Sequence, residues 1–355
     1  PYAECQDAPD PSARGEPAGA ERPGRHTEQH QEKEGDSVSM DSDIMNEEQV
    51  ISAEIAEVEA GDFVGETEEL LPVDELEPEK PKVKSKPLTQ AELNKILLSQ
   101  NAVMGINLLH SIGAMEFVVP EFEKCYGLTQ NAYHFGDVAE HTLAVLQHHC
   151  ELFEPNLVER LTCLLHDIGK IKTRIVKDGK VHFYDHEFAG VGMCESILKD
   201  LKYDNETIKE VCFLVKNHMR TKQGGDEGRQ VKDKSLNKLV YECETKERFE
   251  SLMRIIECDN LSHKPEHNIH GQFAGLVMRV EKNPSHMKMF GYRLPVDGNQ
   301  IMETLNLKPS PIMSEINKRL LNRAFQNPDI TKEECIKLLP GILKESEQYL
   351  KTHKK

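Results

Sequence analysis

No apolar run in this 355-residue chain reaches the roughly 18 positions a membrane span needs, and no signal peptide opens it. Nine cysteines are present, yet none stands in a Cys-x-x-Cys pair. A disulfide framework and a zinc knuckle are therefore not expected. Cys163, Cys212 and Cys258 instead fall inside apolar helical patterns, as small buried hydrophobes do. A reducing, cytoplasmic setting without membrane partners is expected. Gly-rich phosphate loops of the P-loop or dinucleotide type are missing, and so is any internal repeat. With those devices excluded, the chemistry is left to side chains spread along the chain.

Charge is plentiful but uneven. The formal net charge is −17, yet residues 1–90 hold 24 acidic and 8 basic side chains, leaving 37 and 36 for the remainder. The acidity belongs to a tail, and the nearly neutral body is open to a phosphate-bearing or RNA partner. Residues 1–39 carry Pro, Gly, Glu, Arg and His with few large apolar groups, and read as disordered or as leader sequence, with Met40 a plausible start. Residues 40–87 are acidic, with one short apolar pattern (Val50, Ile51, Ile55, Val58) and a Pro/Lys linker from Pro78 to Pro87. Asp41 and Asp43 are read there as composition, not as a metal motif. Residues 1–87 are thus a disordered acidic tail and linker.

From Leu88 the texture becomes helical, and a hydrophobic content of 38% suffices for one sizeable core or two small ones. Thr89 with Glu92, and Asp137 with Glu140, have the spacing of helix-opening capping boxes. Asp178-Gly179 between Ile175-Val176 and Val181-His182-Phe183 predicts a two-residue β-hairpin. Residues 221–234, rich in Gly, Lys and Asp, read as an exposed loop. The expected architecture is all-α: a multi-helix core with one short β-hairpin insertion and a small helical C-terminal module. Its parts are a helical RNA-binding-like segment over 88–135, a metal-binding domain over 136–270 and the C-terminal module over 271–355.

The chemistry centres on LLHDIGK at 164–170, where an apolar helix runs into a His-Asp doublet. Burying an imidazole beside a carboxylate is costly unless a partner such as a metal ion compensates. Gly169 is read as the helix-ending residue that lets Lys170 turn back toward the doublet. Six potential ligands follow in chain order: His141, His166, Asp167, His186, His218 and Asp259. His141, His218 and Asp259 lie on apolar stripes of separate helices, where a lone His is most often an ordinary core residue. Together with the doublet they point to one metal site. Imidazole and carboxylate in this ratio suit Mn, Fe, Co, Ni or Zn better than Mg.

This order of residues resembles the HD superfamily of metal-dependent phosphohydrolases. More narrowly, QNAYHFGDVAEHTL at 130–143, LLHDIGK, HFYDHEFAG at 182–190 and LPVDGNQIMETLNLKPSPIMSEI at 294–316 resemble the body of bacterial CCA-adding tRNA nucleotidyltransferases, over roughly 88–345. The resemblance implies all six residues as metal ligands and a helical body able to hold a tRNA-like arm. It departs from that family before Leu88, where no Gly-Gly-x-Arg-Asp head is found, so CCA addition by this chain alone is not expected.

The leading expectation is hydrolysis of a phosphomonoester or 2′,3′-cyclic phosphodiester on a nucleotide or RNA end. Two divalent ions roughly 3.5–4 Å apart would be bridged by Asp167, one taking His141, His166 and Asp259 and the other His186 and His218. Lys170, as a catalytic group beside Asp167, would bind phosphate, as would Arg220 and His134. The alternative is a tRNA-binding body that has lost its catalytic head, or that pairs with a nucleotidyltransferase partner chain. Basic residues clustered near 170–180, 216–234 and 277–293 fit either reading. His263, His267 and His270 are read as incidental, because Pro265 breaks the helix they would need. His148, His149 and His286 are read the same way, Glu257 as a surface charge and Asp137 as a helix cap.

Overall fold

The computed structural model describes residues 89–131, 133–220, 231–267 and 272–353. The chain divides into two units, Pro1–Asp74 and Glu75–Lys355, and every described residue lies in the second. The acidic tail and the pattern at 50–58 fall outside the described residues.

Helix α1 (Gln90–Leu98) opens on the Thr89–Glu92 capping box, and α2 (Ala102–Ser111) folds back beside it. Two single turns, α3 (Met115–Val118) and α4 (Pro120–Glu123), lead to α5 (Val138–Leu152), which opens on the Asp137–Glu140 box. Then come α6 (Leu157–Leu165), capped by Asn156, and the short α7 (Lys170–Thr173). Strands β1 (Arg174–Lys177) and β2 (Lys180–Phe183) pair antiparallel, with Arg174 opposite Phe183 and Lys177 opposite Lys180. Asp178 (φ 52°) and Gly179 (φ 71°) both take the left-handed conformation that a tight two-residue turn requires. Helices α8 (His186–Asp200) and α9 (Asn205–Asn217) follow, then α10 (Asp233–Cys243) and α11 (Lys246–Leu261). The C-terminal part holds α12 (Gln272–Lys282), α13 (Pro284–Met287), α14 (Gly298–Leu305), α15 (Ile312–Ala324) and α16 (Lys332–Thr352). The described chain is all-α apart from its single hairpin. None of its helices is long and apolar enough to cross a membrane, and its eight cysteines are free.

Three apolar clusters hold these elements. The first joins α1, α2 and α4 to α5, α6, α8 and α9 through residues such as Leu97, Ile106, Phe122, Leu146, Leu164 and Val215. Segment 88–135 therefore shares its core with the helices after it. The second cluster sits among α10, α11 and α12, and the third among α14, α15 and α16. Asp233 and Lys234, read from the sequence as loop, form the first turn of α10. Behind that polar turn, Leu236, Leu239 and Val240 supply a buried face at helical spacing.

Two polar features fix the body. Fully buried His149 on α5 places Nε2 2.7 Å from Glu159 Oε2 on α6. Arg254 and Ser251 on α11 donate to Glu159 Oε1, both at 2.7 Å. Burial alone would raise the Glu159 carboxyl, but the bonds from His149, Arg254 and Ser251 outweigh it and hold the group at about 2. The second feature is Gly169, whose role differs from the helix-ending one expected. Its backbone is helical (φ −66°, ψ −20°), so no left-handed turn calls for glycine. A Cβ there would instead lie 2.0 Å from the His186 carbonyl oxygen and 2.6 Å from Gly190 N. Glycine is required because α7 and α8 start in backbone contact.

Gly169→Ala should therefore lower stability by roughly 2 kcal/mol or more, the cost of overpacking against backbone, read from the midpoint of urea unfolding. An unshifted midpoint would contradict this contact. Because the Glu159 carboxyl is depressed in the folded state, its stabilisation is present above its unfolded value of 4.5 and is lost as pH falls toward about 2. Acid unfolding of Glu159→Gln should lack that component, so the stability gap between wild type and variant should narrow across this window.

Candidate metal centre

Five separate pieces of backbone deliver the six candidate ligands. The capping box at Asp137 starts α5 so that His141 stands one turn in, on its buried side. Helix α6 stops at Leu165, leaving His166 as its C-cap and Asp167 in the turn beyond. Phe183 closes β2, and Asp185, left-handed at φ 56°, reverses the chain so that His186 opens α8. His218 caps the end of α9, and Asp259 lies in the last turns of α11. None of the six is more than 6% exposed, so solvent does not satisfy them.

The structure brings all six together around Asp167. Its Oδ2 is 3.2 Å from His166 Nε2 and 3.4 Å from His141 Nε2. Its Oδ1 is 3.2 Å from His186 Nε2 and 3.7 Å from His218 Nε2. Asp259 Oδ1 lies 3.3 Å from His141 Nε2 on the far side of the first pair. The carboxylate thus faces one imidazole pair with each oxygen, and each pair together with Asp167 forms a group able to hold a cation.

Local hydrogen bonds set the tautomers. The Nδ1 of His166 lies 2.9 Å from the Cys163 carbonyl, that of His186 2.9 Å from the Phe183 carbonyl and that of His218 2.6 Å from the Val215 carbonyl. A carbonyl only accepts, so each Nδ1 carries a proton and each of these rings turns its Nε2 inward. Inward nitrogens then crowd: His186 and His218 Nε2 are 3.3 Å apart, and those of His141 and His166 3.4 Å. Imidazole nitrogens and carboxylate oxygens converging this closely can share a cation between them, so the donor set fits divalent ions.

The protonation equilibria differ from ring to ring. Burial lowers His218 to about 4, only partly countered by its bond to Asp167, so it stays neutral at physiological pH. Burial also works against charge on His166, but the adjacent Asp167 carboxylate outweighs it and raises this imidazole. For Asp167 burial would favour the acid, yet His166 and Lys170 hold it well below the usual carboxylate range.

The remaining sequence-predicted residues divide. Lys170 is buried, with Nζ 2.7 Å from Asp167 Oδ2, 2.6 Å from Gln130 Oε1 and 5.2 Å from the Phe183 ring centre. His134 packs its ring 4.4 Å from that of His141, and its buried Nδ1 has no partner among the described residues. Burial, Lys170 and His141 together push its imidazole far down, so it is neutral. Arg220 is not brought to the cluster. Its Nη1 meets Glu242 Oε2 at 2.6 Å and Asn217 Oδ1 at 3.1 Å, because α10 presents an acidic group to it first.

Several residues went unrecognised in the sequence. Gln130 holds Lys170, and its only signal is its place at the head of the QNAYHF run. His263 is not incidental: its ring stands 4.4 Å from that of His134, and its backbone pairs with His134. Pro265 does end the helix, yet the bridge to His134 holds His263 beside Asp259 without one. His267 packs on Tyr133, and His270 lies outside the described residues. His286 is buried against Asn237, and Glu257 accepts from Phe273 N at 3.1 Å at the start of α12. Both are structural, as is His149. His148 remains part-exposed beside Glu151.

Residues 138–249 match the HD domain, which spans five of the six ligands and stops ten residues short of Asp259. The chain is 27% identical over 247 residues to the CC-adding tRNA nucleotidyltransferase of Thermus thermophilus, which covers 69% of this chain and 54% of the relative. It is 28% identical over 236 residues to the A-adding tRNA nucleotidyltransferase of Deinococcus radiodurans, covering 64% and 52%. A multifunctional CCA protein of Pseudomonas paraeruginosa is 35% identical over 126 residues, which is 35% of this chain and 30% of that protein. The chain thus carries an HD domain and is homologous to CCA-adding tRNA nucleotidyltransferases over its HD and C-terminal region. It spans about half the length of the first two relatives.

Since a proton on His166 and a divalent ion compete for the same nitrogen, metal binding should release protons. Calorimetric titration with Mn or Zn in buffers of different ionisation enthalpy should show this release, and affinity should fall as pH drops below neutral. Affinity independent of pH across that range would mean that these nitrogens do not take the ion.

Proposed function

We propose that this chain is a metal-dependent phosphohydrolase that cleaves a phosphoester on a nucleotide or RNA end, either a monoester or a 2′,3′-cyclic diester. One observation carries the reading: both oxygens of buried Asp167 lie within 3.7 Å of their own pair of imidazole Nε2 atoms. His141, His166 and Asp259 would hold one ion and His186 and His218 another, with Asp167 shared. Divalent Mn, Fe, Co, Ni or Zn suits these donors better than Mg, and such ions supply Lewis-acid charge at phosphoryl oxygens and acidify water.

The chain's own groups do the rest. Burial of all six donors limits competition from bulk water. Lys170 keeps Asp167 ionised and, steadied by Gln130, can turn a hydrogen bond toward a phosphoryl oxygen. Neutral His134 has a free Nδ1 for a second oxygen of the substrate. Arg220 is left out of this set because Glu242 holds it.

The names of the relatives favour a second reading, in which the same body holds tRNA for a nucleotidyltransferase head on another segment or another chain. Residues 88–135 and 271–355 would then serve as RNA-binding flanks to a domain over 136–270.

Purified full-length protein loaded with Mn or Zn should hydrolyse bis(p-nitrophenyl) phosphate and a 2′,3′-cyclic nucleotide. Asp167→Ala should fall to background with its helical circular dichroism intact. Unchanged turnover in that variant sinks the hydrolytic reading. Salt-sensitive tRNA affinity without turnover of any phosphoester selects the second one.

A further inference from the structure

The hairpin has two unlike faces. Its register puts Arg174, Val176, Val181 and Phe183 on one, and Ile175, Lys177, Lys180 and His182 on the other. The first face is tied to the body: Arg174 donates from Nη2 to Thr129 Oγ1 at 2.8 Å, and Phe183 lies against Lys170. The second is built differently. Lys177 and Lys180 are direct cross-strand partners, both exposed, and neither forms an ion pair with an acidic group among the described residues. Like charges placed opposite one another weaken a ribbon, so this pair costs stability until an anion neutralises it. Further along the same face the rings of His182 and Tyr184 stack with centroids 5.2 Å apart and planes 9° from parallel. Tyr184 remains 59% exposed, only two residues from the ligand His186.

Resting on the hydrolytic reading above, we propose that this face grips the nucleotides adjoining the reacting phosphoester, so that the preferred substrate is a single-stranded RNA end and not a free mononucleotide. Unpaired cations and an exposed aromatic stack on one ribbon are the two elements that single-stranded nucleic acid needs, one for phosphates and one for bases. From Lys180 to Tyr184 the strand rises about 13 Å, at roughly 3.3 Å per residue, which exceeds the length of one nucleotide. A mononucleotide seated at the cluster could reach the rings but not the lysines. A strand continuing outward meets both.

The test measures fluorescence anisotropy of a labelled single-stranded oligoribonucleotide of about ten nucleotides with a 3′-hydroxyl, which offers no terminal phosphoester, on the full chain. A mononucleotide of the same 3′ base serves as competitor. The oligonucleotide should bind at least tenfold more tightly than the mononucleotide. Removing both lysines (Lys177→Ala with Lys180→Ala) should reduce the slope of log affinity against log salt by about 1.4, the share of two single-strand phosphates. Tyr184→Ala should weaken binding roughly tenfold or more. Both variants should hydrolyse bis(p-nitrophenyl) phosphate as the wild type does. The proposal is overturned if the variants bind RNA unchanged, if RNA binds no better than the mononucleotide, or if the lysine variant alters only self-association. Hairpin-dependent RNA affinity in a chain that hydrolyses nothing upholds the grip and removes the hydrolytic reading instead.

Discussion

Everything in this body is arranged to make one buried carboxylate tolerable. Asp167 is placed where it touches four imidazoles and an ammonium, delivered by four stretches of backbone. An isolated ion at that depth would cost several kcal/mol in lost hydration. The surrounding helices must therefore hold their ends to within a few tenths of an ångström, and the local devices do so: the box at Asp137, the left-handed Asp185, the i−3 carbonyls behind three of the rings and the glycine contact at Gly169. The same closeness that stabilises the carboxylate crowds imidazole nitrogens against one another. The result is a buried knot of donors that could hold a divalent cation.

Much of this could be read in the sequence, for identifiable reasons. Caps and turns are local, so the openings of α1, α5 and the hairpin turn follow from a few side chains each. Histidine or aspartate on an apolar stripe is visible because helical periodicity says which side is inside, and so His141, His218 and Asp259 stood out. What escaped depended on distance in the chain. Nothing near Gln130 announces a lysine forty residues on, and nothing near Arg220 announces Glu242. His149 reads in the sequence as incidental, like His148, because a straight count along α5 cannot say that Glu159 and Arg254 wait on the neighbouring helices. Gly169 was noticed for the wrong reason. Sequence suggests glycine's torsional freedom, whereas the need for it arises from another helix's carbonyl.

Homology and geometry reinforce each other unevenly. The HD match accounts for the residues that surround Asp167, while similarity to CCA-adding enzymes extends over the helical body and covers only about half of those relatives. The chain is thus similar to nucleotide-adding enzymes along its helical body, and it gathers a set of side chains able to hold a metal ion.

Helix α11 sends Ile255 and Cys258 into the first cluster and Phe249, Leu252, Met253 and Ile256 into the second, with Asp259 near its end. It is a rigid strut shared by two cores, and it carries the sixth donor. An excised domain cut at the boundary of the HD match would keep five donors and discard the strut. The domain match and the stretch that holds all six candidate donors differ in length, and only a fragment running past Leu261 retains those six together with the whole strut.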